Sequence, residues 1–211
     1  TVVEVLLCPS DGTALQPGNH YRACTGPHPN GHDGTPWPGG GGVFPGLIAT
    51  AGRDVTDGLS QTVAFSERLS GNGDPRRFVA NRDLWCSGVF LIDPLIDSDG
   101  LARVCGGLSG TPAEFYSTPG RTWILAGLAT TLYNHVAAPN WSGSDRSVSE
   151  YHLPDALITG GAVSARSFHP GGVNILLLDG SVRFVKQSVQ LNLWRALASR
   201  AGHEAVSLDS L

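Results

Sequence analysis

Residues 167–188 read SFHPGGVNILLLDGSVRFVKQS and predict a β-hairpin near the end of the chain. Val173 to Leu178 is an apolar run, and Ser181 to Lys186 alternates polar and apolar residues. Between them, Asp179-Gly180 favours a two-residue type I′ turn, because both central residues of that turn need positive φ. The stretch therefore predicts two antiparallel strands joined at Asp179-Gly180.

The hairpin motif comprises His169, Gly171, Gly172, Asp179 and Gly180. An extended strand rises about 3.3 Å per residue, so the first strand alone would separate its two ends by roughly 16 to 20 Å. His169 and Asp179 are then too far apart for one shared catalytic or metal site, and the spacing favours two structural roles. For His169 two interpretations stay open: a loop residue that holds the start of the hairpin by hydrogen bonds, or a ligand- or metal-binding residue with partners elsewhere.

Other segments carry a resemblance that extends over nearly the whole chain. They are CPSDG (8–12), NHYRACTG (19–26), VTDGLSQTVAFSER (55–68), GRTWILAG (120–127), YNHVAAPN (133–140) and LNLWRALASRAGHEAVS (191–207). With the histidine-x9-aspartate-glycine hairpin, this pattern resembles a large planctomycetal family of prepilin-like secreted proteins, also known as a domain of unknown function with a solute-binding-protein label. The resemblance implies an α+β fold: a pilin- or pseudopilin-like globular head with an antiparallel β-sheet, long Gly/Pro-rich loops and a C-terminal helix.

Relatives in that family begin with a short leader and a long apolar helix that anchors in the membrane and packs in a filament. This sequence opens at Thr1 with TVVEVLLCPSDG, which corresponds to the segment after that helix. We therefore expect the N-terminal prepilin helix to have been cleaved or to be missing from the sequence, so that any membrane link runs through that absent helix. The resemblance also implies export to the cell surface, the periplasm or the extracellular space.

Composition excludes some partners and predicts many turns. Of 211 residues 41% are hydrophobic, which is enough for a core, and the formal net charge is −4. No basic field exists to attract nucleic acid or anionic lipid, so neither partner is expected. The chain has 28 Gly and 14 Pro, which favours long loops. We expect one globular domain over residues 1–211.

Local patterns place the other elements. Residues 25–46 are rich in Gly and Pro and predict a surface loop or an ordered Ω-like excursion. Strands are expected at Thr62–Ser66, Trp85–Ile92 and Arg121–Ala126. Residues 187–201 predict a C-terminal helix with one apolar face, which Gly202 would end.

Four cysteines, Cys8, Cys24, Cys86 and Cys105, allow three full pairings. None lies in a CxxC pair, so a zinc ribbon is not favoured. If the protein is exported, as the resemblance implies, we expect Cys8 to pair with Cys24 and Cys86 with Cys105. The alternative is four buried free thiols in a reducing compartment.

Two further groups are candidate binding residues. Asp93, Asp97 and Asp99 gather around a turn and suggest a calcium loop, because calcium binds several hard oxygen ligands; the alternative is a solvated acidic turn. The aromatic residues Trp37, Trp141 and Tyr151 are suited to stack on sugar rings. Alternatively, they cover sheet edges or contact neighbouring subunits.

The sequence contains no GxSxG elbow, Walker loop, HExxH or Rossmann fingerprint, so no enzymatic activity is predicted. The leading hypothesis is a non-catalytic structural or interaction protein of the cell surface, or of a type IV pilus or type II secretion-like assembly, with other protein subunits as partners. The alternative is an extracellular carbohydrate- or solute-binding domain whose partner is a glycan. A metal-dependent hydrolase ranks third.

Overall fold

The structure is a computed structural model. It describes residues 1–12, 18–29, 41–45, 49–86, 97–107, 111–147 and 160–204. The strands are β1 (Tyr21–Cys24), β2 (Val63–Glu67), β3 (Leu84–Cys86), β4 (Phe115–Tyr116), β5 (Leu132–Tyr133), β6 (Arg146–Ser147), β7 (Gly161–Ala162), β8 (Gly172–Leu177) and β9 (Val182–Lys186). The α-helices are α1 (Ser98–Gly106) and α2 (Leu191–Ala196).

The strands of the described ranges form two sheets. The larger sheet has the order β5-β1-β2-β8-β9 and is antiparallel except where β1 pairs with β5. The smaller sheet has the order β4-β3-β6-β7, with β3 and β6 parallel. The predicted α+β class with a mostly antiparallel sheet is confirmed, and the second sheet is an addition. Across the described ranges, no helix combines the length and apolar character needed to cross a bilayer.

The predicted hairpin is present, but its turn differs from the predicted type I′. β8 and β9 pair from Gly172↔Lys186 to Leu176↔Val182. Leu177 N donates to Ser181 O over 2.9 Å, which leaves a three-residue loop. Within Asp179-Gly180 the positive φ (86°) falls on Gly180, as in a type I turn that ends in a glycine bulge. Asp179 instead accepts hydrogen bonds from the Ser181 amide and hydroxyl, at 2.9 and 2.7 Å.

Alternation along β8 separates the two faces of the large sheet. Val173, Ile175 and Leu177 are buried on the inner face, whereas Asn174 and Leu176 point the other way. The inner face packs against Trp194, which is fully buried and donates from Nε1 to Ala137 O over 2.9 Å. We call the opposite side of this sheet the outer face.

The C-terminal helix is shorter than the predicted 187–201. α2 begins at Leu191, and beyond Ala196 the bonds become three-residue turns, such as Ala198 N to Arg195 O. Arg200 N then donates to Gly41 O over 3.0 Å, so the chain leaves the helical path before Gly202. The four-residue apolar spacing does not come from one continuous helix. It arises because Val189, before α2, and Leu197 and Ala198, after it, are all buried.

The strand predictions have three outcomes. Thr62–Ser66 is confirmed as β2, within one residue at each end. Trp85–Ile92 is found as β3, and its part beyond residue 86 lies outside the described residues. Arg121–Ala126 is wrong: this segment forms bends in which Ile124 is 67% exposed, and it pairs with none of the strands in the part of the chain that the structure describes.

The Gly/Pro-rich region 25–46 was predicted to be a surface loop, and its described ends are instead mostly buried. Thr25 N donates to Tyr133 O over 2.9 Å, and Gly42 N donates to Thr25 O over 3.0 Å. A Cβ on Gly26 would lie 2.4 Å from Gly42 N, so the two backbone segments touch directly. The glycines here allow two backbone segments to lie in contact, because they carry no Cβ. Residues 30–40 and 46 lie outside the described residues.

A buried carboxylate joins the two sheets. Asp145 precedes β6, and its Oδ2 lies 3.0 Å from Nη2 of Arg68, the residue after β2; its Oδ1 lies 2.9 Å from Arg166 Nη2. Ser164 Oγ and Trp141 Nε1 also donate to Oδ1, at 2.7 and 3.0 Å. Desolvation by itself raises the pKa of Asp145, but the guanidinium groups of Arg166 and Arg68 outweigh it and hold the pKa at about 2.

A second buried polar group lies in the segment YNHVAAPN. The His135 ring stacks on Trp194 with centroids 3.5 Å apart, and its Nδ1 lies 2.6 Å from Trp194 O. Because that carbonyl oxygen only accepts, Nδ1 carries the proton and Nε2 accepts from the Tyr133 hydroxyl at 2.9 Å. Desolvation lowers the pKa of His135 from 6.5 to about 3, so the buried imidazole is neutral.

We predict that buried neutral His135 makes stability fall as the pH is lowered. In the unfolded chain His135 is protonated below about pH 6.5, whereas in the folded chain it stays neutral down to about pH 3. The free energy of unfolding therefore decreases as the pH is lowered through that window. His135→Phe keeps an aromatic ring on Trp194 and removes this titration. The variant should lower the slope of unfolding free energy against pH by about 1.4 kcal/mol per pH unit, measured by urea unfolding. The control is His203→Asn, an exposed site, and an unchanged slope in His135→Phe would contradict the prediction.

We also predict that the hairpin has no room for a side chain at Gly172. A Cβ there would lie 2.1 Å from Val185 O, a backbone atom of the paired strand. Gly172→Ala should therefore destabilise the fold by about 1 to 3 kcal/mol in urea unfolding. Gly52→Ala, where a Cβ meets open space, is the matched control. Equal midpoints for the two variants would refute this account of the hairpin.

Candidate functional site

Three side chains of metal-ligand type converge at one end of the outer face. Cys8 precedes a 3-10 turn, Glu67 ends β2, and His169 lies in the loop before β8. His169 Nε2 lies 3.0 Å from Glu67 Oε1 and 3.9 Å from Cys8 Sγ. All three ligand-type atoms fall within 4.8 Å of one another. We call this group the Cys-Glu-His cluster.

Strand register explains why Glu67 is there. Ser66 pairs with Ile175, so the next pair of residues, Glu67 and Asn174, share the outer face of adjacent strands. Asn174 N donates to Glu67 Oε2 over 2.8 Å, and Asn174 Nδ2 donates to Oε1 over 3.1 Å. The Glu67 side chain is 5% exposed. The carboxylate is therefore oriented by the hairpin itself.

Backbone contacts hold the other two members. Cys8 N donates to His20 Nδ1 over 2.7 Å, and the Tyr21 hydroxyl forms a hydrogen bond with the Cys8 side chain. His169 N donates to Ser167 Oγ over 3.1 Å. The His169 side chain is 29% exposed, so the cluster opens to solvent on the histidine side.

The geometry does not suit a cysteine nucleophile. A nucleophile–histidine–carboxylate relay uses one ring nitrogen for the nucleophile and the other for the orienting group. Here Nε2 of His169 faces both Glu67 and Cys8. The three ligand-type atoms lie close enough to one another for a single metal ion to contact all of them. Among the described residues, this is the one group of His, Cys, Asp and Glu side chains close enough to hold a metal ion.

A cleft of about 350 Å³ adjoins the cluster at His169. Trp141 and Phe168 supply its aromatic surface, and the guanidinium carbon of Arg82 lies 4.9 Å from the Phe168 ring centroid. Amide side chains also line it, from Asn81, Asn140 and Gln187. The cleft therefore combines aromatic faces with hydrogen-bonding groups.

A family model matches residues 1–192, which include the whole hairpin and the Cys-Glu-His cluster. The chain belongs to the SBP_bac_10 family. The description of that family is "Protein of unknown function (DUF1559)". No curated protein and no solved structure matches the chain. Membership of the domain-of-unknown-function family with the solute-binding-protein label, which the sequence segments predicted, is thus confirmed.

The two described residues of the predicted calcium site have protein partners. Asp97 caps α1 by accepting from Gly100 N at 2.5 Å, and Asp99 Oδ1 lies 2.5 Å from Arg195 Nη1. The hydrogen bond from Arg195 lowers the pKa of Asp99. Asp93 lies outside the described residues. Both described carboxylates therefore have structural roles in this SBP_bac_10 chain.

The predicted pairing of Cys8 with Cys24 is absent, because both are free thiols in the structure. Cys8 belongs to the cluster on the outer face, whereas Cys24 is fully buried and bonds to Tyr133. Cys105 is also free and lies in a separate buried cluster. Burial raises the pKa of Cys24 and of Cys105 to about 12. The side chain of Cys86 lies outside the described residues.

Sequence reasoning located part of this site. Of the three candidate aromatics, Trp141 lies in the cleft, while Trp37 and Tyr151 lie outside the described residues. His169 does bond at the start of the hairpin, but its partners Glu67 and Cys8 were not foreseen. Their only signal was membership of two family-like segments, CPSDG and VTDGLSQTVAFSER, far from His169 along the chain.

Proposed function

We propose that this chain is the non-catalytic globular head of a surface protein that assembles with other protein subunits. The proposed setting is a prepilin-like protein, exported to the cell surface or acting in a type IV pilus or type II secretion-like assembly. The observation that carries the proposal is the apolar, partly exposed outer face of the large sheet.

Strand alternation assigns the residues of that face. Leu176 points outward and pairs with Val182, while outward Asn174 pairs with Phe184. Val182 is 63% exposed and Phe184 is 44% exposed. On β2, Phe65 pairs with Leu176 and continues the same apolar surface. Apolar residues thus extend across three neighbouring strands.

A groove of about 300 Å³ runs over this surface. Leu6, Tyr21, Phe65, Leu176 and Val182 are among its lining residues. Contiguous exposed apolar surface on a soluble domain marks a contact site for protein or membrane. A prepilin-type apolar helix or a neighbouring subunit is suited to cover it.

The signature hairpin supports a structural role. His169 and Asp179 lie at opposite ends of β8, and Asp179 bonds locally to Ser181. His169 and Asp179 therefore lie at opposite ends of the hairpin's first strand, and each contacts the residues at its own end. The hairpin in turn forms part of the proposed contact surface.

We expect Val182→Lys to weaken assembly of the intact natural protein, because association would then bury a charge. Ile124→Lys is the matched control, since Ile124 is similarly exposed (67%) on a segment away from the groove. Sedimentation velocity should show an association constant at least about 10-fold lower for Val182→Lys, and an unchanged one for the control. A natural protein that stays monomeric, or equal effects of both substitutions, would refute the assembly role.

A second function, an extracellular carbohydrate- or solute-binding domain, is favoured by the cleft beside His169. Its volume of about 350 Å³ falls in the usual range of small-ligand sites. Trp141 and Phe168 offer ring faces for sugar stacking, and neighbouring amides offer hydrogen bonds to hydroxyl groups.

We predict that Phe168→Ala and Trp141→Ala abolish any glycan binding detected on a glycan array. Phe168 is 47% exposed, so its removal should leave the fold intact; Trp141 also bonds Asp145, so its variant needs a folding check by circular dichroism. Trp123→Ala, an exposed tryptophan outside the cleft, is the control. Binding that survives Phe168→Ala, or no binding by the wild-type chain, would exclude this function.

A further inference from the structure

We propose that the Cys-Glu-His cluster binds a zinc ion through Cys8 Sγ, Glu67 Oε1 and His169 Nε2, with a fourth coordination position left open. The inference is independent of the assembly proposed above. It rests on the spacing of the three atoms, on the groups that orient them and on a small cavity beside them.

The spacing of the ligand atoms is close to that of a bound site. Zinc binds thiolate sulfur at about 2.3 Å, imidazole nitrogen at about 2.0 Å and carboxylate oxygen at about 2.1 Å. In tetrahedral geometry these lengths place ligand atoms roughly 3.3 to 3.6 Å apart. The structure has 3.9 Å between Cys8 Sγ and His169 Nε2, and 3.0 Å between His169 Nε2 and Glu67 Oε1. The third pair, Cys8 Sγ and the Glu67 carboxylate, lies within 4.8 Å, so shifts of up to about 1 Å would close the site.

The ligand types select the metal. A thiolate and an imidazole are soft or borderline ligands, which disfavours calcium and magnesium and suits zinc. Three protein ligands with an open fourth position are the arrangement of accessible zinc sites. With a Cys8 thiolate and a Glu67 carboxylate, a divalent ion leaves the cluster neutral. Such a cluster needs no further counter-charge.

The nearby arginines are paired with buried carboxylates, which reduces their repulsion of a bound cation. Arg68 and Arg166 pair with Asp145, and Arg82 Nη2 lies 2.7 Å from Asp11 Oδ1. These groups are almost completely buried, and three arginines against two carboxylates leave one positive charge in excess, so the repulsion of a zinc ion is that of about one charge rather than three.

Outer contacts hold the ligands in place, as in established metal sites. Asn174 bonds both oxygens of Glu67, and Ser167 Oγ accepts from the His169 amide. A cavity of about 10 Å³, lined in part by Cys8 and Glu67, lies beside the cluster and has room for one water-sized particle. The site therefore has oriented ligands and space next to them.

Binding moves two protons. The Cys8 thiol releases its proton to solvent as the S–Zn bond forms. The proton that His169 Nε2 donates to Glu67 Oε1 passes through solvent to Nδ1 of the same ring, so the imidazole binds zinc as its neutral Nδ1–H tautomer and the Cys8 proton is the one released overall. Glu67 Oε1 then binds the metal ion in place of the hydrogen bond from His169. No oxidant or reductant is involved.

The test uses the whole chain after chelator treatment, titrated with Co²⁺ and Zn²⁺. We expect one equivalent of Co²⁺ to produce the near-ultraviolet thiolate-to-cobalt charge-transfer band, and Zn²⁺ to displace it. Cys8→Ser should lose the band while keeping the bond between Glu67 and His169. Cys105→Ser, a cysteine outside the cluster, should keep the band. Asn174→Ala should weaken the affinity about 10- to 100-fold, since it removes an orienting contact.

A second readout separates metal binding from misfolding. Zinc should protect Cys8 from alkylation in the wild-type chain, as located by peptide mass mapping, with circular dichroism confirming that each variant is folded. If the wild-type chain shows no charge-transfer band and no protection, the cluster is a hydrogen-bonded group and the proposal fails. A band that persists in folded Cys8→Ser would also overturn it.

Discussion

The arrangement of the two sheets depends on one buried carboxylate. Asp145 precedes β6 of the small sheet, and it binds Arg68, which follows β2 of the large sheet, together with Arg166. Burying an unpaired charge is costly, and removing one member of such a group typically costs about 3 to 5 kcal/mol. The three charges are therefore stable only together, which fixes how β2 and β6 lie relative to each other. Trp141, a cleft residue, is held by the same carboxylate.

The buried ion group and the outer face of the large sheet are linked through two adjacent residues, the last residue of β2 and the one that follows it. Arg68 points to Asp145, whereas the preceding residue, Glu67, points to the Cys-Glu-His cluster, because side chains alternate along extended backbone. The ladder between β2 and β8 then brings Asn174 to Glu67. The same ladder carries Phe65 and Leu176 onto the apolar groove. The strands β2 and β8 thus contribute residues to the buried core, to the candidate metal site and to the candidate contact surface.

The elements that were predicted correctly from the sequence are those whose structure depends on contacts between residues close together in the chain. The hairpin followed from an apolar run, an alternating run and an Asp-Gly pair, and β2 followed from its own apolar pattern. The predictions were wrong for segments whose structure depends on contacts with residues far away in the chain. Residues 121–126 have the pattern of a strand but pair with no strand within the described ranges. Residues 187–201 have the pattern of one helix, but the chain leaves the helical path where Arg200 N bonds to Gly41 O. The glycines at 26 and 42 suggested a surface loop, yet they allow two buried segments to touch.

By itself the sequence determined the family, the α+β class, the hairpin and the separation of His169 from Asp179, because these depend on motif spacing and strand length. The tertiary structure decided which residues meet His169. Cys8, Glu67 and His169 belong to segments far apart in the sequence, and only the register of β2 against β8 and the packing of the N-terminal segment place their ligand atoms within 4.8 Å. Periodicity along one strand tells which face a residue occupies, but not which residue of another strand lies beside it.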